Sequence, residues 1–338
     1  MRSTLLADAP PIREPRHAPV AHVTRGGVVE GVHYGSVVVL GRDGDVRLGI
    51  GDIDTACYPR SALKPVQAVA MVRAGLPLDG ALLSLAMGSH SGEEHHLAGT
   101  RLILELAGLT EDDLRNVPDL PYAPAVRDTW VRQGRGPSRL AQNCSGKHAA
   151  MLYLCWLSGW PLETYLDPAH PLQRAIAEAV GELTGQHIAN VTVDGCGSPL
   201  FAVSLHGLAR AAARIATAAP GTAERRVADA LRAHPAMASG TGRDTAELMR
   251  AVPGLLAKDG FEGVQVAALP DGRAVAVKIA DGADRARVPV TAAALARAGV
   301  DPRLLVGFRG EPTTGGGRPV GGIRPVAALA QPGARATT

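Results

Sequence analysis

Two strand-turn-strand patterns stand near opposite ends of this chain, with helical periodicity between them, and that arrangement narrows the folds open to it. Residues 264–269 and 273–279 are apolar runs flanking Pro270-Asp271-Gly272, a cluster that favours a tight turn. Residues 36–40 and 46–50 flank Gly41-Arg-Asp-Gly-Asp45 in the same way, so the fold is expected to open with a hairpin. Between them, apolar residues recur at helical spacing over 61–74, 93–107, 147–157, 171–183, 200–216, 223–233 and 243–249, and a further helix is expected over 290–298. A strand-like run at 188–193 interrupts the block. Strands at both ends of a helical middle predict an α+β fold, with one antiparallel sheet assembled from both chain ends and a helical lobe beside it. No repeat of about 20–50 residues argues for a solenoid. No linker divides the chain, so a single domain is expected over residues 21–328, with disordered tails at 1–20 and 329–338.

Composition narrows what such a fold can serve. Hydrophobic residues at 46% and charged residues at 20% suffice for a packed core without disulfides. The 35 Lys+Arg nearly balance 32 Asp+Glu, and no basic run concentrates the net charge of +3 into a nucleic-acid patch. Aromatics are only 3%, which argues against base-stacking platforms and leaves recognition to polar side chains and backbone. A small-molecule substrate is the expectation. No stretch is fit to span a bilayer, and the first twenty residues, with Pro10, Pro11, Pro15 and Pro19, lack the apolar core of a secretory leader. Cytoplasmic residence follows by default. Cys57, Cys144, Cys155 and Cys196 are too few for a disulfide framework in a chain of 338 residues, so reduced thiols are expected.

The chemistry-bearing residues fall in short clusters. In Tyr58-Pro-Arg-Ser-Ala-Leu-Lys-Pro65, Ser61 and Lys64 stand three apart at a helix start and therefore share a face. A serine there sits among unpaired N–H groups that stabilise an alkoxide or an oxyanion, while a desolvated lysine accepts its proton. This is the S-x-x-K pattern of acyl-transfer enzymes, although serine is also a common helix cap. In Gly88-Ser-His-Ser-Gly-Glu-Glu-His95, Ser89 is a candidate to orient the lysine or relay its proton, and His90 a candidate substrate contact. Ser91, Glu93 and Glu94 read more simply as a helix cap and its first turn. Gln142-Asn-Cys-Ser-Gly-Lys-His148 and Asp194-Gly-Cys-Gly-Ser-Pro199 each offer a cysteine beside polar groups. Two cysteines fall short of a zinc ligand set, which His148 or Asp194 would have to complete; the alternative is that each thiol is a small buried hydrophobe, as Cys155 is expected to be. Lys278 points either inward or to solvent, and Arg243 is either a carboxylate clamp or a surface arginine.

Taken in order, these segments resemble the L-asparaginase II family, the rhizobial-type (class 3) asparaginases. The resemblance rests on Thr24-Arg-Gly-Gly-Val-Val-Glu30, Pro59-Arg-Ser-Ala-Leu-Lys-Pro65, Ser89-His-Ser-Gly-Glu93, Asn143-Cys-Ser-Gly-Lys-His148, Asp194-Gly-Cys196, Lys258, Val277-Lys-Ile-Ala-Asp-Gly282 and Thr313-Thr-Gly-Gly316. It implies a fold similar to serine β-lactamases and glutaminases, and hydrolysis of L-asparagine through an acyl-enzyme. It also implies two Ser-Lys pairs in one site, Ser61 with Lys64 and Ser89 with Lys258. Cys144, Lys147 and Cys196 match a zinc site in the family, with a water as fourth ligand, and a homodimer is expected by the same resemblance. Arg60, Asp194 and Arg243 are candidate substrate anchors by charge alone. Gly197-Ser198 and Asp259-Gly260-Phe261 depart from the family pattern. The rivals are a penicillin-recognising serine hydrolase, which should also carry S-D-N-like and K-T-G-like elements, neither of which is found after Ser61, a glutaminase, and a non-catalytic amino-acid-binding protein on the same fold.

Overall fold

In the computed structural model, which describes residues 14–329, the first hairpin forms one strand earlier than the pattern indicates. β1 (Ala18–Arg25) turns into β2 (Val28–Leu40) through Gly26 and Gly27, whose φ angles of 54° and 83° are the left-handed pair a tight hairpin turn requires. β3 (Val46–Ile50) then folds back on β2 as expected. β4 (Ala56–Cys57) and a 3₁₀ turn at Arg60–Leu63 lead into α1 (Lys64–Arg73). The helical block follows: α2 (Gly80–Ala86), α3 (Glu94–Glu105), α4 (Pro124–Arg132), α5 (Ser145–Ser158) and α6 (Pro171–Thr184). β5 (Asn190–Val193) and β6 (Pro199–Ser204) pair with each other, and β4 pairs with β6. Next come α7 (Leu205–Ala216), α8 (Ala223–Ala233), α9 (Pro235–Ala238) and α10 (Asp244–Ala251). β7 (Leu256–Gly260), β8 (Val264–Ala268), β9 (Ala274–Ile279), α11 (Asp284–Arg297), β10 (Pro312–Gly315) and β11 (Arg318–Pro325) complete the chain.

The fold class is α+β, as expected, and the main sheet is built from both chain ends. Its strands run β10-β11-β1-β2-β9-β8-β7, with β3 also on β2, and every pairing is antiparallel. The β9-β8-β7 end is covered on both faces: every residue of β7 and β8 is buried, and α7 and α11 both pack on β9. One hydrophobic cluster runs from these strands into α1, α5, α6 and α8. Pro19 is accommodated within β1 because β11 pairs only from Ala21 onward, so its missing N–H costs no ladder bond on that side.

One expectation needs correction. Residues 200–216 are not one helix: residues 199–204 are strand β6, fully buried, and a run with no polar face carries no period to separate strand from helix. The helix starts after Ser204, whose hydroxyl accepts the Gly207 N–H at 3.0 Å. Residues 18–20 belong to β1, where Val20 is fully buried and its carbonyl accepts the Val326 N–H, and Leu329 is buried. Residues 1–13 and 330–338 lie outside the described residues. Among the described residues no helix is long and apolar enough to cross a membrane, and all four cysteines are free.

Candidate active site

The serine of the S-x-x-K motif is presented by a strained turn. Arg60, immediately before it, has φ of 51°, a conformation that costs a side-chain-bearing residue energy and persists only where surroundings impose it. The surroundings are β7, which lies so close that a Cβ on Gly260 would stand 2.5 Å from the Pro59 carbonyl oxygen and 3.0 Å from the Ala62 nitrogen. Only glycine fits there. The Arg60 side chain is held by Asp194, Nε to Oδ1 at 2.7 Å, and lies over the Phe261 ring at 5.6 Å. Ser61 is thereby left half-buried in the wall shared by two adjoining cavities. One, of about 110 Å³, is also lined by Ser89, Tyr122, Asn143, Arg243 and Asp259. The other, of about 180 Å³, is lined by Arg60, Asn143, Cys144, Asp194 and Cys196 among others.

Two buried lysines meet on the second serine. Lys64 Nζ donates to Ser89 Oγ at 3.1 Å, to Cys144 Sγ at 3.1 Å and to the Gly88 carbonyl, and makes no hydrogen bond to Ser61. Lys258 Nζ, on β7, reaches the same Ser89 Oγ at 3.3 Å and is paired with Asp259 Oδ1 at 2.7 Å. Burial, reinforced by the Lys64 charge and opposed by Asp259, pushes the Lys258 pKa down to about 8. Burial works against Asp259 as an anion too, but Lys258, Arg243 and Arg287 hold its carboxyl well below the usual range. Arg243 donates to the Ser89 carbonyl at 2.5 Å and to Asp259 Oδ2 at 3.0 Å, and its guanidinium lies 4.6 Å over the Tyr122 ring. The result is a cationic floor with one carboxylate, opening on a small polar cavity.

The thiols form a third layer. Lys147 Nζ lies 3.3 Å from Cys196 Sγ and 2.8 Å from Ser198 Oγ. A hydrogen bond from Cys144, together with Lys147, draws the Cys196 thiol well below its ordinary pKa, while that hydrogen bond and burial push Cys144 well above. Lys147 is raised by the two cysteines despite its burial. Two sulfurs and an amine thus converge beside the cavity, a donor set that suits a borderline-soft ion such as zinc once Lys147 gives up its proton. His148 instead bonds Ser198 Oγ at 3.3 Å and Tyr165 OH at 2.8 Å, and Asp194 is engaged by Arg60. His90 is not brought to the cavity: it is fully buried, its Nδ1 accepts the Gly92 N–H and its Nε2 faces Ser145 Oγ at 2.9 Å.

A family model for L-asparaginase II matches residues 21–325. The chain belongs to the L-asparaginase II family. This membership supports amidohydrolase activity on a small-molecule amide. No curated protein matches the chain significantly. Among solved structures it is similar to a β-lactamase from Mycobacterium bovis, with 17% identity, 78% of this chain and 94% of that chain covered, and a TM-score of 0.43. It is similar also to Mglu, with 17% identity, 81% of this chain and 65% of that chain covered, and a TM-score of 0.33.

Against the L-asparaginase II motifs, the site contains residues that sequence reasoning passed over. Tyr122 and Asn143 line the cavity, and Asp259, noted only as a departure from the family pattern, is the counter-ion of Lys258. Its signal was visible: Lys258-Asp259 is a charged pair inside an otherwise apolar strand, and buried charges come paired. Lys258-Asp259-Gly260 also has the lysine and glycine of a K-T-G element with aspartate in the middle, and it lies against the Ser61 turn. Lys278 is half-buried and donates to the Glu262 carbonyl at 2.8 Å, away from the two Ser-Lys pairs.

Proposed function

We propose that the protein hydrolyses L-asparagine to L-aspartate and ammonia through an acyl-enzyme on Ser61. The observation that carries this reading is Ser89 Oγ held between two buried amines, at 3.1 Å from Lys64 and 3.3 Å from Lys258, at a cavity that Ser61 shares. Ser61 Oγ forms a bond to the side-chain amide carbon as its proton passes to Lys64. Backbone N–H groups near Ser61 would stabilise the oxyanion. The C–N bond then breaks, the proton returns to the departing nitrogen, and ammonia leaves an aspartyl ester. Water attacks that ester, Lys64 takes its proton, and the Ser61 oxygen recovers a proton as aspartate departs. Ser89 connects the two lysines, so Lys258, whose pKa burial pushes down to about 8, can take up the proton that Ser89 relays from Lys64. Arg243 would hold the substrate carboxylate, and Asp194, fixed by Arg60, its ammonium.

Cys144, Lys147 and Cys196 would hold a zinc ion, which would supply positive charge and rigidity beside the substrate cavity. These same residues also make a self-consistent ammonium-thiolate set, so the Ser-Lys steps are derived without the ion.

A second reading has one specific observation in its favour. Ser89, not Ser61, is the hydroxyl within hydrogen-bond distance of both amines, which suits it to be the nucleophile. Mass spectrometry of the acyl-enzyme trapped with asparagine decides between them: the Ser61 reading predicts the added aspartyl group on the peptide holding Ser61, and an adduct on Ser89 would replace it.

A further inference from the structure

The start of α3 carries a cluster that the proposed reaction does not use. Glu93, His95 and His96 bring one donor atom each to within 4.8 Å of one another. Glu93 Oε2 lies 3.9 Å from His95 Nε2 and 3.7 Å from His96 Nδ1. His96 is fully buried, and its Nε2 faces the Ala236 carbonyl at 2.9 Å. A carbonyl only accepts, so Nε2 carries the proton and Nδ1 presents a lone pair. That Nδ1 has no hydrogen-bond partner and points at a carboxylate oxygen, which is also an acceptor. Two acceptors facing each other call for a hydrogen-bond donor or a cation between them.

Distance separates these two candidates. A proton shared by imidazole and carboxylate would draw the heavy atoms to about 2.7–2.9 Å. Ligands of one tetrahedral ion at bonds of about 2.0–2.1 Å stand about 3.3–3.4 Å apart. The observed gaps of 3.7 and 3.9 Å are nearer the second value and close to it by a small side-chain rotation. His95 sits at the open edge, with its side chain 44% exposed, so an ion can enter and keep a water as its fourth ligand. The back of the site is already organised: the Ala236 carbonyl fixes the His96 tautomer, and the Thr241 N–H donates to Glu93 Oε2 at 3.0 Å.

We propose that Glu93, His95 and His96 form a binding site for a divalent transition-metal ion of the zinc class, separate from the cysteine-lysine set. The ion braces the segment that follows α8, because the Ala236 carbonyl and the Thr241 N–H that hold its ligands both belong to it. That segment holds Ala236 and Thr241 and ends in Arg243, which touches Ser89 and Asp259, so the site is a brace for the catalytic cavity rather than part of it.

The test is a calorimetric titration of chelator-stripped, tag-free full-length protein with Zn²⁺, comparing wild type with His95→Ala, Glu93→Gln and Cys196→Ala. His95 is exposed, so its loss leaves the fold intact. The expected result is one equivalent of zinc that is lost, or weakened by at least ~100-fold, in His95→Ala and Glu93→Gln and kept in Cys196→Ala; that factor matches the upper range for losing a group that only supports a ligand. X-ray absorption of Cys196→Ala should show nitrogen and oxygen ligands without sulfur, and its thermal midpoint should rise on zinc addition. Unchanged stoichiometry and affinity in His95→Ala would overturn the proposal, as would a single equivalent lost only with Cys196→Ala.

Discussion

Lys258 is a cation kept out of water with one carboxylate to hold it, and this shapes the expected pH dependence. Its pKa is pushed down to about 8 by burial and by the Lys64 charge, against Asp259, so below that pH Lys258 holds its proton and cannot take one relayed through Ser89. Ammonia release followed from pH 6 to 10 should therefore show kcat/KM rising about tenfold per pH unit up to roughly 8 and then levelling. Lys258→Met should flatten that limb, and a wild-type profile already flat across it would contradict the role given to Lys258. Asp194 acts through charge at the cavity wall, so Asp194→Asn is expected to raise KM for asparagine by ~10–100-fold, a loss of ~1.4–2.7 kcal/mol of binding, with a smaller change in kcat. An unchanged KM would remove Asp194 from the substrate anchors. At this scale, spacing placed Ser61 and Lys64 on one turn, although Lys64 Nζ bonds Ser89 and not Ser61. It could not join Ser89 to Lys258, which are 169 residues apart and meet only because β7 is laid beside the Ser61 turn.

Elements were legible where the determining interactions are local. The turn at Pro270-Asp271-Gly272 sets the β8-β9 hairpin from its own residues, and β8 and β9 form as the pattern indicates. β6 was not legible because it is buried on both faces and looks like any apolar run, and β1 because its signal lay in the two glycines at 26 and 27. Gly260 is the position where element packing and chemistry meet. Gly260→Ala forces its Cβ against the backbone of the Ser61 turn, at 2.5 Å from the Pro59 oxygen, so β7 and the turn must separate. The variant should lose ~1–3 kcal/mol in urea unfolding and most of its kcat, although every hydroxyl and amine of the site is still present. Full activity in Gly260→Ala would show that the close approach does not position Ser61.

For the whole molecule, the sheet depends on the two chain ends meeting. β11 pairs with β1, Ile323 is buried, and the Val326 N–H returns to the Val20 carbonyl. A chain ending at residue 311 leaves β1 as an apolar edge strand, and its thermal midpoint should fall by at least ~5 °C, with aggregation on melting. An unshifted midpoint would mean the central strands hold the sheet without its outer pair. Within the same sheet β7 lies against the 3₁₀ turn at Arg60–Leu63, and the two together wall the cavity in which all of the proposed chemistry takes place. The most direct measurement is ammonia release from L-asparagine by the wild type and by Ser61→Ala at matched, folded concentrations. The account predicts turnover by the wild type and a fall of ~10,000-fold or more in the variant; equal rates from the two proteins would contradict it.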